Sequence, residues 1–388
     1  MYFQQHEKMM NRDKVLATLF EHRQLTKLEI SRITNLSIPT VTSNITSLME
    51  DGLVDEAGVA NSTGGRKPKI VRLLPNSRYS IGVEITPSKV KLVLINLFCE
   101  IQLRKEFSLE ELKTTSGFRQ AMVKMAEVIQ EIIKELQIPS ECIMGIGISV
   151  PGTVNRDQFV LELVPNLGVK QFSLQFLKDM FAFPLYIENE ANAGALGELV
   201  LNKQATDDHT VYVSITEGIG TSIMSKDGFY KGNKERAGEF GHMHIGNSDR
   251  ICSCGRTGCW ELFSSETALL TMYKEQTEIV QPNLVDIMER YIARDEDAQF
   301  VVKKYLYNIS LGIQNILLAI DPKQIIIGGE LAKYSEHLIT ELRNFVFSQA
   351  VFHNEQDVEI NFSTLYTDSS ILGAAITPYK QLFLTDEE

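Results

Sequence analysis

The sequence lacks an apolar stretch long enough to cross a bilayer, and its first residues lack the charged, apolar and small-residue order of a signal peptide. From these two absences we expect a cytoplasmic chain with no membrane partner. Cysteine is also scarce, with five in 388 residues. In a reduced cytosol such a small number does not indicate a disulfide framework, and three clustered cysteines indicate metal ligation instead.

Basic charge is scarce as well, since the net charge is −12, but the balance changes along the chain. Residues 1–77 contain ten Lys/Arg and eight Asp/Glu, which leaves 28 and 42 for the rest. An acidic body disfavours general binding to phosphate backbones, so we expect any contact with DNA to be confined to the first fifth of the chain. The length favours two or three domains.

The first module has the pattern of three short helices. Residues 11–22 carry apolar side chains at helical spacing. Thr26 and Glu29 form a capping-box pattern that opens a second helix, which runs through Ile33. A third helix is expected from about Ile38 to Glu50, followed by Gly52. This spacing is that of a helix-turn-helix, and equally of an ordinary three-helix packing unit.

The third helix has one apolar and one polar face. The apolar face is predicted to contain Ile38, Val41, Ile45 and Leu48. The opposite face carries short hydrogen-bonding side chains that fit phosphates and base edges in a major groove. The candidate DNA-contacting residues of this helix and its start, where Ser37 is the expected cap and Pro39 lies in the first turn, are Ser37, Pro39, Thr40, Ser43, Asn44 and Ser47.

A basic wing is predicted to follow this helix. A short strand starts at Leu53, and residues 69–73 can form its antiparallel partner. The tip between them contains Arg66 and Lys67 beside glycines and a proline, so it can enter a minor groove or grip phosphates. A solvated hairpin or linker is the alternative. Because the wing and the helix-turn-helix pattern occur in one stretch, we predict a winged helix-turn-helix DNA-binding domain and linker over residues 1–77.

The rest of the chain alternates strands and helices, which predicts α/β lobes with ligands at the loops that follow the strands. Residues 143–150 form a buried strand, and residues 185–187 form another that runs into an Ala- and Gly-rich helix. We divide the body into a first α/β lobe, 78–190, and a second, 191–388, which contains the cysteine loop and a returning C-terminal helix.

One constellation predicts a structural zinc site. His242 precedes Cys252, Cys254 and Cys259 by 10, 12 and 17 residues, and glycines allow the cysteine loop to be tight. Three thiolates and one imidazole complete a closed tetrahedral shell for Zn²⁺. The metal would fix the imidazole, so that its other nitrogen can face a ligand. Free thiols are the alternative.

Several motifs together resemble the ROK family, which groups sugar-responsive repressors with sugar kinases. The resemblance covers essentially the whole chain. Its carriers are residues 237–242 (AGEFGH), the cysteine loop with Trp260 and Glu261 after it, residues 188–198 (ENEANAGALGE) and residues 321–329 (DPKQIIIGG). The helix-turn-helix and residues 65–68 (GRKP) resemble the repressor branch. The resemblance implies a two-lobed sugar-kinase/actin-like (ribonuclease H-like) body.

The resemblance also implies a sugar in the cleft between the lobes. The residues that match the sugar-contacting positions of the family are Asn189, Glu190, Glu239, His242 and Glu261, with Asn166 as a further candidate. Carboxylates and amides suit vicinal hydroxyls. Without the motif, each of these residues would be assigned to a loop or a helix cap. Glu188 and Glu198 are expected at helix ends or on the surface.

Three departures from the family argue against a kinase. The first hairpin turn, residues 84–88 (EITPS), has no glycine where backbone must approach phosphate oxygens. Glu217 puts a carboxylate in the second phosphate loop. Glu190 stands where the resemblance implies a catalytic aspartate, and its extra methylene fills the space of a hexose C6 group. A pentose is therefore favoured, with xylose as the first expectation. Gly328 and Gly329, which match the adenosine-binding side of the family's kinases, are still present in this sequence.

These observations predict a sugar-responsive repressor that is not an enzyme. A homodimer or higher oligomer would place two third helices on a palindromic operator, and a pentose in the cleft would release the DNA. Two alternatives stay open at this point. One is an ATP-dependent sugar kinase with an added DNA-binding domain, and the other is a DNA-binding scaffold whose cleft holds no sugar.

Overall fold

A computed structural model of the chain describes residues 11–59, 69–108, 115–164, 167–202, 205, 209–225, 228–277, 279–348 and 352–382. The wing-tip residues Arg66 and Lys67 and the candidate Asn166 lie outside the described residues. In the part of the chain that is described, no helix has both the length and the apolar character that a membrane span requires.

The first module, which we call the head, has the predicted helices and wing. Its elements are α1 (Asn11–His22), β1 (Gln24–Thr26), α2 (Lys27–Thr34), α3 (Ile38–Glu50), β2 (Val54–Val59) and β3 (Lys69–Leu73). Strands β2 and β3 pair antiparallel as expected, and β1 adds to the other edge of β3. The capping box of α2 is present, since the Thr26 hydroxyl accepts from the Glu29 amide and the Glu29 carboxylate accepts from the Thr26 amide.

Helix α3 has the predicted bounds because its end signals are local. Ser37 caps it by accepting from the amide of Thr40 at 3.3 Å, and Gly52 follows with a φ of 68°. Val41, Ile45 and Leu48 are buried as expected. The assignment of Ile38 to the apolar face is wrong, because its side chain is 41% exposed. It occupies the first residue of the helix, and periodic spacing does not show where the packed face begins.

The body consists of two lobes that each contain a five-stranded sheet. The elements of the first lobe are β4 (Tyr79–Ile85), β5 (Lys89–Asn96), β6 (Ile101–Ser108), α4 (Thr115–Glu135), β7 (Ile143–Val150), β8 (Thr153–Asn155), β9 (Val160–Val164), β10 (Val169–Ser173) and β11 (Leu185–Asn189). The elements that follow are α5 (Glu190–Leu201), β12 (Thr210–Ile215), β13 (Ile219–Ser225), β14 (Gly228–Phe229), α6 (Glu261–Ser264), α7 (Glu266–Thr277), α8 (Leu284–Ile292), α9 (Glu296–Ile320), β15 (Gln324–Gly328), α10 (Ser335–Phe347), β16 (Glu359–Phe362) and α11 (Ser369–Ile376).

The two sheets repeat one topology. Their orders are β6-β5-β4-β7-β11 and β14-β13-β12-β15-β16, so each reads third, second, first, fourth and fifth along its own lobe. In both, the first three strands are antiparallel and the last two run parallel to the first. A smaller antiparallel sheet, β8-β9-β10, stands beside the first. This arrangement agrees with the predicted two-lobed α/β body. The domain boundaries at 77 and 190 remain a prediction.

Helices α5 and α11 pack against each other between the two main sheets. Their backbones approach so closely that a Cβ on Gly197 would clash with the carbonyl of Ser369, and one on Gly373 with that of Ala193. Glu198 lies in the last turn of α5, which agrees with the expected helix end, but the alternative of a surface position is wrong. Its side chain is fully buried in α5 and accepts hydrogen bonds from Ser369, Ser363 and Asn202. Two of these donors are serines from distant segments, which the local sequence could not show.

The head is joined to the first lobe through a continuous hydrophobic core. The apolar residues of α1, α3 and β3 form one cluster with those of β5 and α11. At the junction, the Arg23 guanidinium stacks over Phe98 at 4.1 Å from the ring centroid and lies 5.3 Å from that of Phe20. The amide of Leu97 donates to the carbonyl of Pro75 at 2.8 Å. The linker segment is therefore packed against the body.

Candidate functional site

A cavity of about 850 Å³ lies between the two lobes. It is lined by residues at the ends of strands from both main sheets, among them Glu84 of β4, Asn189 of β11, Ser214 of β12 and Gly329 after β15. Ligands of α/β proteins bind at the carboxyl ends of parallel strands, so this is the expected place for a ligand. We call this cavity the interlobe cleft.

Asn189 supports the cleft as the cap of α5. Its Oδ1 accepts from the amides of Ala191 and Asn192 at 2.9 and 3.2 Å, and its Nδ2 donates to the carbonyl of Gly152 at 2.8 Å. An amide group carries two N–H donors, so one of them remains for a ligand. Asn189 thus caps α5 and lines the cleft, and among the described residues its second N–H has no acceptor.

Glu190 lies deeper in the same wall, against the second lobe. Its Oε1 accepts from the hydroxyl of Ser214 at 2.6 Å, and a Cβ on Gly220 would lie 3.0 Å from its Oε2. Burial raises the pKa of Glu190 to about 7, the Ser214 hydrogen bond opposes this shift, and nearby Glu84 adds to it. The carboxyl group therefore changes charge near neutral pH and can donate or accept a hydrogen bond there.

His242, Cys252, Cys254 and Cys259 form a cluster that can hold a metal ion. Their ligating atoms all lie within 4.8 Å of one another. The Nδ1 of His242 is 3.3 Å from the sulfur of Cys252, and the sulfurs of Cys254 and Cys259 are 3.7 Å apart. The predicted ligand set is therefore brought together.

The metal cluster forms one rim of the cleft through His242. With Nδ1 turned to the cysteines, its Nε2 faces Glu239 at 3.9 Å from Oε2. Glu261 follows the last cysteine at the start of α6, and its Oε1 lies 2.8 Å from the Cys252 sulfur and 3.7 Å from His242 Nδ1. His242, Glu239 and Glu261 all line the cleft together with Asn189 and Glu190.

The part of the cleft where the resemblance implies nucleotide phosphates is rich in carboxylates. Glu217, Glu266 and Glu330 all line it. The pKa of Glu266 is raised, first by burial and then by the charges of Glu330 and Glu217. Ser88, in the turn without glycine, donates to Glu217 at 3.4 Å. Carboxylates that repel one another also repel the oxygens of a triphosphate.

Ion pairs within the protein engage two basic side chains that line the cleft, Lys91 and Arg104. Lys91 donates to Glu84 at 2.5 Å between neighbouring strands β5 and β4. Arg104 of β6 donates twice to the Asp368 carboxylate, at 2.8 and 2.6 Å. A bidentate pair of this kind satisfies much of the guanidinium. These cations are engaged within the protein and are less available to phosphates.

Gly328 and Gly329 have a packing role in this structure. A Cβ on Gly328 would clash with the hydroxyl of Tyr212, and one on Gly329, whose φ is 112°, with the carbonyl of Ile215. Both glycines are therefore needed by the fold where β15 lies against β12. Their presence does not require a bound nucleotide.

The polar face of α3 is only partly free for a ligand. Ser37 and Thr40 are joined by a hydroxyl contact of 2.8 Å, and Asn44 Nδ2 donates to the carbonyl of Thr40 at 2.9 Å. Ser37, Pro39 and Ser43 are exposed. Thr40, Asn44 and Ser47 are half-buried. Sequence reasoning passed over Thr42 and Thr46, whose side chains are half-buried and exposed.

Sequence reasoning also missed residues that shape the cleft. Ser214 holds Glu190, and the Arg104–Asp368 pair joins segments 264 residues apart. No local signal pointed to them. The Lys91–Glu84 pair had a signal, because a hairpin over residues 79–96 places these two side chains directly opposite each other.

Comparison with known proteins gave matches to both modules. A family model described as "ROK family" matches residues 80–380, and one described as "Winged helix-turn-helix DNA-binding" matches residues 12–55. A "Putative xylose repressor" of Caldicellulosiruptor sp. (strain Rt8B.4) is 31% identical over 385 residues, covering 94% of each chain. The "Xylose repressor" of Bacillus subtilis (strain 168) is 29% identical over 367 residues, again covering 94% of each chain.

Solved structures with similar folds include a regulator and a kinase. A ROK family transcriptional regulator, described as a homolog of the E. coli MLC protein, has a TM-score of 0.79 at 20% identity and covers 99% of this chain and 98% of its own. A glucokinase from Streptomyces griseus, in complex with glucose and AMPPNP, has a TM-score of 0.65 at 19% identity and covers 77% of this chain and 98% of its own. The predicted two-lobed sugar-kinase/actin-like fold with an added head is confirmed.

Proposed function

The chain belongs to the ROK family, and we propose that it is a sugar-responsive transcriptional repressor that releases operator DNA when a sugar fills the interlobe cleft. The sequence resemblance to this family is confirmed by the matches to both modules. One observation carries the proposal: the cleft keeps hydroxyl-binding groups, while carboxylates and internal ion pairs stand where a kinase needs phosphate-binding groups. A DNA-binding function assigns the chain to the cytoplasm.

In this proposal the sugar contacts Asn189, Glu190, Glu239, His242 and Glu261, and Asn166 remains a candidate outside the described residues. The free N–H of Asn189, the Nε2 of His242 and the carboxylates supply the directional groups that vicinal hydroxyls need. We propose xylose as the sugar. The names of the two repressors quoted above support this choice, and so does the side chain of Glu190, which is one methylene longer than aspartate.

We propose that operator DNA is read by the head of a dimer or higher oligomer. The exposed residues of α3 would enter a major groove, and two such helices would match a palindromic operator. The candidate contacts are Ser37, Pro39, Thr40, Ser43, Asn44 and Ser47, and we assign Arg66 and Lys67 of the wing to phosphates or a minor groove. The positive balance of residues 1–77 within an acidic chain supports this restriction.

We propose that the cysteine cluster holds one structural zinc ion. Zinc–ligand bonds of about 2.0–2.3 Å at tetrahedral angles put neighbouring ligand atoms roughly 3.4–3.8 Å apart. The sulfur–sulfur distance of 3.7 Å between Cys254 and Cys259 fits this range, and the 3.3 Å from Cys252 to His242 is close to it. A zinc ion would hold the loop and the imidazole orientation. His242 then presents Nε2 to the cleft, and no open metal position is left for catalysis.

We also propose that the chain is not an enzyme. A sugar kinase needs backbone that can approach phosphate oxygens, and here Pro87 and the side chains of its turn stand in that place. The carboxylate of Glu217 opposes a bound nucleotide. Gly328 and Gly329, which could suggest a nucleotide site, are explained by packing.

Fluorescence anisotropy of labelled DNA from upstream of the chain's own coding sequence tests the proposal. The purified protein should bind this duplex, and xylose should release it while other pentoses and hexoses require higher concentrations. For release from 99% to 1% bound, the sugar must favour the non-binding form by about 5.5 kcal/mol. Binding that is unaffected by every sugar would leave only the DNA-binding scaffold.

A further inference from the structure

Arg156 lies in the turn between β8 and β9, and its two partners, Glu188 and Glu235, are the chain neighbours of the cleft-lining residues Asn189 and Arg236. One arm of its guanidinium, Nη2, donates to Glu188 Oε1 at 2.6 Å. The other arm, Nη1, is 3.5 Å from Glu235 Oε1 in the segment that follows β14. Arg156 therefore connects the first lobe to a segment of the second.

The contact with Glu188 links Arg156 to the sugar motif. The same Oε1 of Glu188 also accepts from the amide of Asn189 at 2.8 Å and from Nδ2 of Asn192 at 3.1 Å. Asn192 Oδ1 in turn accepts from the hydroxyl of Ser222, on β13 of the second lobe, at 2.7 Å. Arg156 thus holds the carboxylate that fixes the backbone of Asn189.

A second ion pair crosses the cleft mouth beside the first with the opposite polarity. Arg236 Nη2 lies 3.2 Å from Glu162 Oε2, so here the second lobe supplies the cation. Both Arg236 and Glu162 line the cleft. Two adjacent pairs of alternating sign fix the register between the lobes, because sliding one lobe along the other would bring like charges together.

The backbone of the segment indicates that this arrangement is held in place. Glu235 has a φ of 53°, a left-handed conformation that is unfavourable for a side chain of this kind. Such a conformation persists where its surroundings determine it. The side chain of Glu235 is engaged by Arg156 and also by Lys231, whose Nζ is 4.0 Å from it.

We propose that Arg156 and Glu235, with Glu162 and Arg236, form an interlobe latch that couples the sugar motif to closure of the cleft. This inference rests on the proposed function, and it assigns Arg156 as a positioning residue that does not touch the sugar. A sugar that binds Asn189 and Glu190 fixes the position of Glu188. Glu188 then holds Arg156, which contacts Glu235 of the second lobe. The latch stabilises the closed form, which is the form that retains the sugar.

Two measurements on the full-length protein test the latch. The first is the xylose concentration for half-release of operator DNA. Glu235→Gln loses one partly exposed ion pair and should raise this concentration about threefold. Arg156→Ala also leaves Glu188 without its arginine and should raise the concentration about tenfold. Arg156→Lys should give little rescue, because an ammonium group lacks the two-armed geometry. The matched control is Lys105→Ala, which removes a 3.2 Å ion pair with Glu135 elsewhere in the first lobe and should behave as wild type.

Charge exchange separates a latch from a local folding defect. Glu162→Arg and Arg236→Glu should each raise the half-release concentration, because each puts two like charges across the cleft. The double variant restores an opposite pair and should return most of the way to wild type. If the double variant is worse than both single variants, or if all variants release DNA at the wild-type concentration, the latch is wrong.

The second measurement, hydrogen exchange of the amides in residues 230–236, does not depend on a sugar. Without any sugar, exchange should accelerate in Arg156→Ala and Glu235→Gln and not in Lys105→Ala. Equal exchange in all of them overturns the latch. If the wild type fails to release DNA with any sugar, the proposed function fails instead, and the exchange rates still decide whether the latch exists.

Discussion

The hydroxyl of Ser214 donates a 2.6 Å hydrogen bond to Glu190, and the two residues come from opposite sides of the interlobe cleft. Ser214 lies on β12 of the second sheet, whereas Glu190 directly follows β11 of the first. This bond therefore ties the lobes together at the back of the cleft, where the sugar is proposed to bind. It also lowers the pKa of this carboxyl group against the larger raising effect of burial, and the two together leave the pKa at about 7.

The raised pKa of Glu190 predicts a pH-dependent stability. Its ordinary value is 4.5, so the folded protein holds this proton more tightly than the unfolded chain. The favourable contribution is full below about 4.5 and is lost as the pH rises to about 7, with a total of about 3 kcal/mol. Chemical denaturation of wild type and Glu190→Gln from pH 5 to 8 should show the wild type losing stability relative to the variant. Parallel curves would contradict the assignment.

The hydrogen bond from Ser214 lowers the pKa of Glu190, so its removal should move the transition upward. The stability of Ser214→Ala should be compared with that of the double variant Ser214→Ala/Glu190→Gln. The loss of stability of the single variant should extend to a higher pH than the corresponding loss in wild type. The same denaturation series measures it. A downward shift would mean that the bond favours the protonated form.

The cysteine cluster predicts one metal ion per chain. Elemental analysis of protein purified without added metal should find about one zinc, and Cys252→Ser should lose it together with several kcal/mol of the free energy of unfolding, because structural zinc contributes directly to folding. Cys142→Ser, a cysteine outside the cluster, is the matched control and should retain the metal. Full stability in metal-free protein would contradict a structural role.

The carboxylates of the cleft predict no kinase activity. Purified protein should not consume ATP when xylose or glucose is offered, as measured by a coupled assay for ADP, and calorimetry should detect no ATP binding in the millimolar range. The charge of Glu217 alone opposes a triphosphate by a few kcal/mol at intermediate dielectric. Phosphorylation of any aldose would establish the kinase alternative.

The exposed side of α3 predicts specific effects on operator binding. Ser43→Ala should weaken binding by about tenfold or less, in line with roughly 1 kcal/mol for a neutral hydrogen bond. Ser348→Ala, which removes an exposed serine at the end of α10, should leave it unchanged. Anisotropy at several salt concentrations distinguishes contacts with bases from contacts with phosphates. Lys67→Ala should lose a phosphate contact and so reduce the slope of log affinity against log salt concentration by about 1.

Local signals in the sequence located much of the fold. The capping residues of α2 and α3 and the turn at Gly52 are encoded within a few positions, so the predicted bounds of α3 agree with the structure. The cluster that can hold a metal ion was predicted because chemistry restricts which residues can share a short loop. Repeated strand and helix patterns also sufficed to predict two α/β lobes.

The rest depends on contacts between distant segments, which spacing alone does not reveal. Glu198 was expected at a helix end or on the surface, yet two serines from distant segments, together with Asn202 of its own helix end, make its burial tolerable. Arg156 had no motif to mark it, because its importance comes from Glu188 and Glu235 meeting at one guanidinium. Ile38 matched the helical period and is nevertheless exposed.

The stacking of Arg23 on Phe98, with Phe20 nearby, has a mechanical consequence. A head joined by a flexible linker could stay bound to DNA whatever the conformation of the body. A head whose interior merges with that of the first lobe behaves as a lever fixed to that lobe. A rotation of that lobe would therefore also move α3, and this is how the proposed binding of a sugar in the cleft would reach the DNA-binding helix.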